Sequence, residues 1–284
     1  MTRVLTEWTV DPAQLAPLVL GVCMYAFRAR TLARRGTPLA RRRLVAFGAF
    51  VVLALLALVS PVHALGEDRL FSAHMLQHVV LGDLAALALV LSLTGSLLRP
   101  VLAVKAFERL RVLAHPFVAL PLWIANLLVW HLPALYEGAL GSSPVHALEH
   151  VSFFTTGALM WASVVEVLPG PAWFGTGMKL GYVVAVRLVE TAVGNVFFWA
   201  AEPFYATYER AERVWGISAA ADQATAGAIM MIEGSVVTVV VLGWLFLRLG
   251  AEGEMRQELL ERGLDPAAVR RAVRYGRGRG LQGG

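Results

Sequence analysis

Residues 71–98 read FSAHMLQHVVLGDLAALALVLSLTGSLL, a run in which Asp83 is the sole Asp, Glu, Lys or Arg. A stretch this long and apolar is a membrane-spanning helix, because about 20 mainly apolar residues cross the ~30 Å hydrocarbon core. Six further stretches of the same kind flank it, at about 10–28, 44–63, 116–136, 145–168, 178–200 and 222–249. Composition agrees: 57% of the 284 residues are hydrophobic and 16% charged, against about a quarter charged in soluble domains. Backbone groups in lipid must be satisfied within a helix or a closed barrel, and these runs are too long for ~10-residue barrel strands. The pattern predicts an all-α polytopic bundle of seven transmembrane helices over residues 1–250, followed by a tail over 251–284.

Basic residues set the orientation, since they accumulate in cytoplasmic loops. Seven arginines from Arg28 to Arg43 separate the first two stretches, and Arg99, Lys105, Arg109 and Arg111 separate the third and fourth. Lys179 precedes the sixth, and eight arginines run from Arg248 to Arg279. Opposite them stand Arg3, Arg69, Arg210 and Arg213, with Arg187 inside the sixth stretch. The N-terminus is therefore predicted outside and the C-terminal tail in the cytoplasm. The formal charge of +5 is a topology signal, not a nucleic-acid-binding one, since no separate domain exists to carry such a surface. The segment before the first stretch carries Glu7 and Asp11 beside Arg3 and has no A-x-A pattern after it, so the first helix reads as a retained span. The tail, with Met255, Leu259 and Leu260 and its Gly-Arg-Gly-Arg-Gly ending, reads as a short interfacial helix followed by disorder.

Six of the seven histidines fall near the outer ends of these stretches. His74-Met75-Leu76-Gln77-His78 opens the third and His146-Ala147-Leu148-Glu149-His150 the fifth. Residues four apart share one helix face, so each H-x-x-x-H can aim two imidazoles at one point, and ionisable groups at membrane depth face a bundle interior. At 1.5 Å per residue, His78 lies about 10 Å below the outer boundary, His131 about 9 Å, His150 about 8 Å and Met230 about 12 Å. His74, His78, His146, His150, His131 and Met230 are thus the candidate metal ligands, with His63, His74 and His146 nearest solvent as an entrance. His131, in Trp130-His131-Leu132-Pro133, has an equal structural reading: the proline frees backbone carbonyls for its imidazole. His115 alone faces the cytoplasm, as a loop or helix-start residue.

Imidazole with thioether suits copper, above all Cu(I), whereas hard ions call for clustered carboxylates. Haem is the competing cofactor, because facing helix histidines can ligate iron axially; a two-haem membrane cytochrome would, however, place histidines at both faces. Cys23 is the single cysteine, which removes every paired-cysteine metal motif, and it reads as a packing residue. A deeper polar layer comprises Asp83, Asn126, Arg187, Glu190, Asn195, Gln223 and Glu233, with an Arg187 ion pair to Glu190 or Glu233 as its natural core. Trp8, Trp123, Trp130, Trp173, Trp199 and Trp215 mark segment ends as interfacial anchors. No nucleophile and base pair presents itself, so the chain does not read as an enzyme.

Taken in order, F-S-A-H-M-L-Q-H at 71–78, W-H-L-P-A-L-Y at 130–136, H-A-L-E-H at 146–150 and Asp222-Gln223 with Gly227 and Met230-Met231 resemble the CtaG family of bacterial cytochrome c oxidase assembly factors. The resemblance covers the second to seventh stretches. It implies a polytopic helical protein of the bacterial plasma membrane that helps form active haem-copper oxidase, with oxidase subunits as partners; the outer-face histidine layer adds an extracytoplasmic copper donor as an expected partner. It carries His74, His78, His146 and His150 over as copper ligands, with His131, Asp222 and Met230 as secondary positions. One departure stands out: helix-bending prolines are expected after His78, and Leu84 to Leu91 contains none. A haem-binding cytochrome, a copper transporter and a metal-free scaffold for oxidase subunits are the alternatives.

Overall fold

The computed structural model describes residues 8–105, 110–211 and 213–274. Arg3, Glu7, Arg109 and the Gly-Arg-Gly-Arg-Gly ending lie outside the described residues. Every regular element among the described residues is helical. In chain order they are α1 (Pro12–Arg34), α2 (Arg41–Val59), α3 (Pro61–Asp68), α4 (Phe71–Val79), a π-helical segment (Val80–Ala85), α5 (Ala86–Ser92) and α6 (Gly95–Leu102). A 3₁₀ turn (Leu110–Ala114) leads to α7 (Pro116–Trp130), α8 (Pro133–Leu140), α9 (Ser143–Val165), α10 (Thr176–Trp199), α11 (Ala206–Arg210), α12 (Ala219–Glu261) and α13 (Pro266–Arg274).

Local chemistry sets the starts. Proline at the first or second helical position costs nothing, because the missing N–H has no intrahelical acceptor there; α1, α3, α7, α8 and α9 all begin this way. Asp11 caps α1 by accepting from the Ala13 amide at 2.8 Å, and Ser60 caps α3. His115 caps α7, its Nδ1 accepting from the Phe117 amide at 3.3 Å, as expected of a helix-start residue.

Five helices are long and apolar enough to cross a membrane: Pro12–Arg34, Arg41–Val59, Phe71–Ser92, Thr176–Trp199 and Ala219–Glu261. A sixth is added if α7 and α8, bent by 74° at their junction, count as one. The stretch predicted at 145–168 corresponds to α9, whose first two turns hold His146, Glu149 and His150; it is not among the five. The run at 44–63 ends at Val59, where Ser60-Pro61 starts a new helix and puts His63 on α3. The run at 116–136 breaks at His131, since Pro133 has no N–H to continue α7. The last run continues unbroken through residue 250 to Glu261, a helix of 43 residues. Amphipathic α13 follows it.

The described residues of Met1–Gly170 and Val189–Glu233 form one compact unit, and those of Pro171–Leu188 and Gly234–Gly284 another. In the first, α9 packs against α5, the π segment, α7, α8 and α1, while α2 packs against α5 and the π segment. An apolar cluster of Phe50, Ala54, Leu58, Leu81 and Ala85 fills the space between α2 and the π segment. Trp123, expected as an interfacial anchor, is buried, because it sits at mid-height on α7. Cys23, expected to pack, is exposed. In the second unit, Glu252 accepts from the Thr176 hydroxyl at 2.8 Å and from Arg248 at 2.7 Å, Arg187 donates to Ser235 at 2.7 Å, and Arg274 donates to the carbonyls of Pro171 and Ala172.

The π segment answers the missing prolines. Directly after His78 the chain leaves α geometry without one; π turns inside α-helices recur at functional sites. Gly157 of α9 sits against the Gly82 carbonyl, so closely that any Cβ at Gly157 would collide with it. Glycine is therefore required where α9 crosses the π segment.

Candidate metal centre

Four histidines and one glutamate converge where α4 meets α9. The α4 N-terminus is held by Asp222, whose carboxylate accepts from the Phe71 amide at 2.6 Å, the Ser72 amide at 3.1 Å and the Ser72 hydroxyl at 2.5 Å. This spends the negative charge on the orphan donors and positive dipole end of a helix. Asp222, a secondary ligand position by resemblance, thus fixes the start of α4. Its neighbour Gln223 accepts from the Phe204 amide at 2.8 Å and donates to the Glu202 carbonyl at 3.1 Å, fastening the 202–204 segment to α12.

On α4, His74 and His78 stack at 4.4 Å between ring centroids, with their Nε2 atoms 2.6 Å apart. On α9, His146 and His150 lie 4.2 Å apart. Across the helices His74 faces His146 at 5.3 Å and His78 faces His150 at 5.2 Å. His74, His78, His146 and Glu149 each offer an atom within 4.8 Å of the others, and all four are buried. His63, His74 and His146, expected at an entrance, are all interior; α3 carries His63 and packs on α4, and its Glu67 reaches His146. Gly66 of α3 lies so close to α4 that a Cβ there would meet the His74 N and Cα at 2.9 Å.

Hydrogen bonds assign the protons. Gln14 Oε1 accepts from His150 Nδ1 at 3.1 Å, and Glu67 Oε1 lies 3.4 Å from His146 Nδ1. Both imidazoles then carry their proton on Nδ1, leaving Nε2 as a lone pair; Nε2 of each is buried with no hydrogen-bond partner among the described residues. A second ring nitrogen held by an amide or carboxylate is the usual support of a ligating histidine. His63 is different: Gln77 Nε2 lies 2.9 Å from its Nδ1, and its Nε2 lies 3.2 Å from Glu67. With both nitrogens engaged, His63 orients Glu67. Glu67 is 41% exposed and marks the solvent side. The His146 contact holds its carboxyl below the ordinary 4.5, with burial acting in the opposite sense. Asp11, which anchors α1 to α9 through the Ser143 hydroxyl at 2.5 Å, is likewise held low, by that bond first.

Sequence reasoning missed Glu149, Glu67, Gln14 and Gln77. Glu149 had a signal: it lies three residues after His146, on the same face, and its Oε1 is 3.6 Å from His78 Nε2. Met230 and His131 do not join the four. His131 donates from Nδ1 to the Leu127 carbonyl at 2.7 Å, the structural role its proline context allows, and Met230 is buried beside it on the wall of a separate small cavity. Tyrosines tie the surrounding elements together: Tyr208 donates to the Gly66 carbonyl at 2.6 Å, Tyr136 lies 2.9 Å from the Tyr208 hydroxyl, and Tyr205 donates to the His131 carbonyl at 2.9 Å. Below the group, Asp83 accepts from the Trp161 indole N–H.

The family model of the cytochrome c oxidase caa3 assembly factors (Caa3_CtaG) matches residues 23–251. The chain belongs to this family. The Caa3_CtaG match takes in α4 and α9 with all four of His74, His78, His146 and Glu149, while Gln14 precedes it. Neither a curated protein nor a solved structure matches the chain. Membership makes it an assembly factor of cytochrome c oxidase, and its apolar helices make it a membrane protein.

Proposed function

We propose that this assembly factor receives copper at the α4–α9 group and passes it to the copper centre of an assembling haem-copper oxidase. The observation that carries the reading is the convergence of His74, His78, His146 and Glu149 within 4.8 Å. Imidazoles with one carboxylate suit a borderline first-row ion better than calcium or magnesium, which take clustered oxygens. A porphyrin finds no slot between rings whose centroids stand 4.2–5.3 Å apart. Copper is cargo here: it binds through imidazole lone pairs and leaves by ligand exchange, with no bond of a substrate made or broken, so the protein acts without catalysis.

The same reading sets the surroundings. The chain sits in the bacterial plasma membrane with seven spans over 1–250, the N-terminus outside and residues 251–284 in the cytoplasm, as the distribution of arginines supports. The group then opens to the outer side past Glu67, where an extracytoplasmic donor delivers copper and an oxidase subunit accepts it.

Copper content of the purified full chain tests this, read beside the copper content of the oxidase made in the same cells. His78→Ala and His150→Ala, changed singly, should each lower bound copper and leave the oxidase copper-deficient while the membrane level of the assembly factor holds. Unaltered copper in both the factor and the oxidase overturns the proposal.

A further inference from the structure

His131 stands apart from the four-residue group, and its surroundings form a site of their own. The break between α7 and α8 leaves it at the end of α7, where Nδ1 spends its proton on the Leu127 carbonyl. Nε2 therefore bears a lone pair, and it is buried with no hydrogen-bond partner among the described residues. A buried acceptor left so costs free energy unless something occupies the space in front of it. That space exists: His131, Met75, His78, Asp83 and Met230 are among the residues bordering a cavity of about 50 Å³. By the measure in which one water needs about 10–15 Å³, it has room for an ion or a few waters.

The walls pair thioethers with the carboxyl groups of Asp83, Glu190 and Glu233, a lining that favours a cation over water. Met75 and Met230 are both buried and contribute thioethers, poor partners for water but good ligands for Cu(I). His78 borders this cavity and also belongs to the outer group, so the two share a side chain. We propose that the cavity is a second, deeper Cu(I) station, with His131 Nε2 and the sulphurs of Met75 and Met230 as ligands, filled from the outer group by way of His78. The inference rests on the copper reading of that group. The exchange is ligand for ligand: a copper–imidazole bond of the outer group breaks as a copper–sulphur bond forms. The ion keeps its oxidation state, and no proton moves.

The test is anaerobic titration of the detergent-purified full chain with Cu(I) against a chromophoric chelator, with copper-edge absorption reporting sulphur neighbours. Wild type should hold an outer class of site with nitrogen and oxygen neighbours and a second class with sulphur. The double variant Met75→Leu and Met230→Leu, which conserves volume, should lose the sulphur signal and one equivalent of Cu(I) while keeping the outer class. His131→Ala should do the same, and where it fails to fold the double leucine variant decides. His146→Ala should remove the outer class and leave the sulphur class. Wild type with a single class, free of sulphur and abolished by His146→Ala, overturns the deeper station alone, as does a double variant identical to wild type. Wild type that binds no Cu(I) overturns this inference and the proposed function together.

Discussion

Replacing Gly66 by alanine would drive a methyl group into the backbone of the ligand helix. The new Cβ would stand 2.9 Å from the His74 N and Cα and 3.2 Å from its Cβ. Ordinary contact begins near 3.4 Å, so α3 and α4 must part by about 0.5 Å, and no rotamer change relieves a clash with backbone. Overpacking of this size costs about 1–3 kcal/mol. The same displacement reaches the ~0.5 Å tolerance within which ligands must be held, so copper affinity should fall about 10- to 100-fold, the range for disturbed support of a metal ligand. The Tyr208 bond to the Gly66 carbonyl resists the separation and places the loss on His74. A thermal shift assay in detergent reads the stability, and competition with a copper chelator reads the affinity. Gly48→Ala on α2, whose Cβ meets nothing within 4 Å, is the control and should leave both unchanged. A Gly66→Ala protein that matches the control in melting temperature and copper affinity would refute the packing of α3 on the ligand helix.

Other consequences are equally concrete. Asp222→Ala removes the cap of α4 and should cost about 1–2 kcal/mol, read as a lower melting temperature together with weaker copper retention; Asp222→Asn, which keeps one acceptor, should recover part of both. Gly157→Ala meets the Gly82 carbonyl head on and should cost about 3 kcal/mol or more, read as loss of monodisperse protein on size exclusion. Glu67 is held below its ordinary 4.5 by His146, so its contribution to stability is present above about that pH and is lost as pH falls through the depressed value. Melting temperature followed from neutral pH to pH 3 should lose part of its acid slope in Glu67→Gln.

Periodicity made much of this legible. Each H-x-x-x-H had to place two imidazoles on one helix face, and both pairs do so. Spacing gives depth along a helix and says nothing of which helix lies beside it, so the meeting of His78 with His150, and the separation of His131 and Met230 from both, awaited coordinates. Pro133 pointed to freed carbonyls near His131, but the run at 116–136 read as one span, and its break at His131 appears only in the structure. The π segment had no comparable herald: its turn follows from packing at Gly82 and Gly157, two glycines 75 positions apart in sequence. Asp222 was a secondary ligand position by resemblance alone; its carboxylate accepts from the Phe71 and Ser72 amides, a contact that depends on the tertiary approach of α12 to α4. Gln14, Gln77 and Glu67 escaped notice for the same reason, since a side chain that sets a tautomer is recognised by what it touches.

An anomalous difference map collected at the copper edge from crystals of the copper-loaded full chain locates the ion directly. The account predicts a peak enclosed by His74, His78, His146 and Glu149, absent from His146→Ala crystals. Density from ordered copper elsewhere, with those four side chains free of it, would contradict the account.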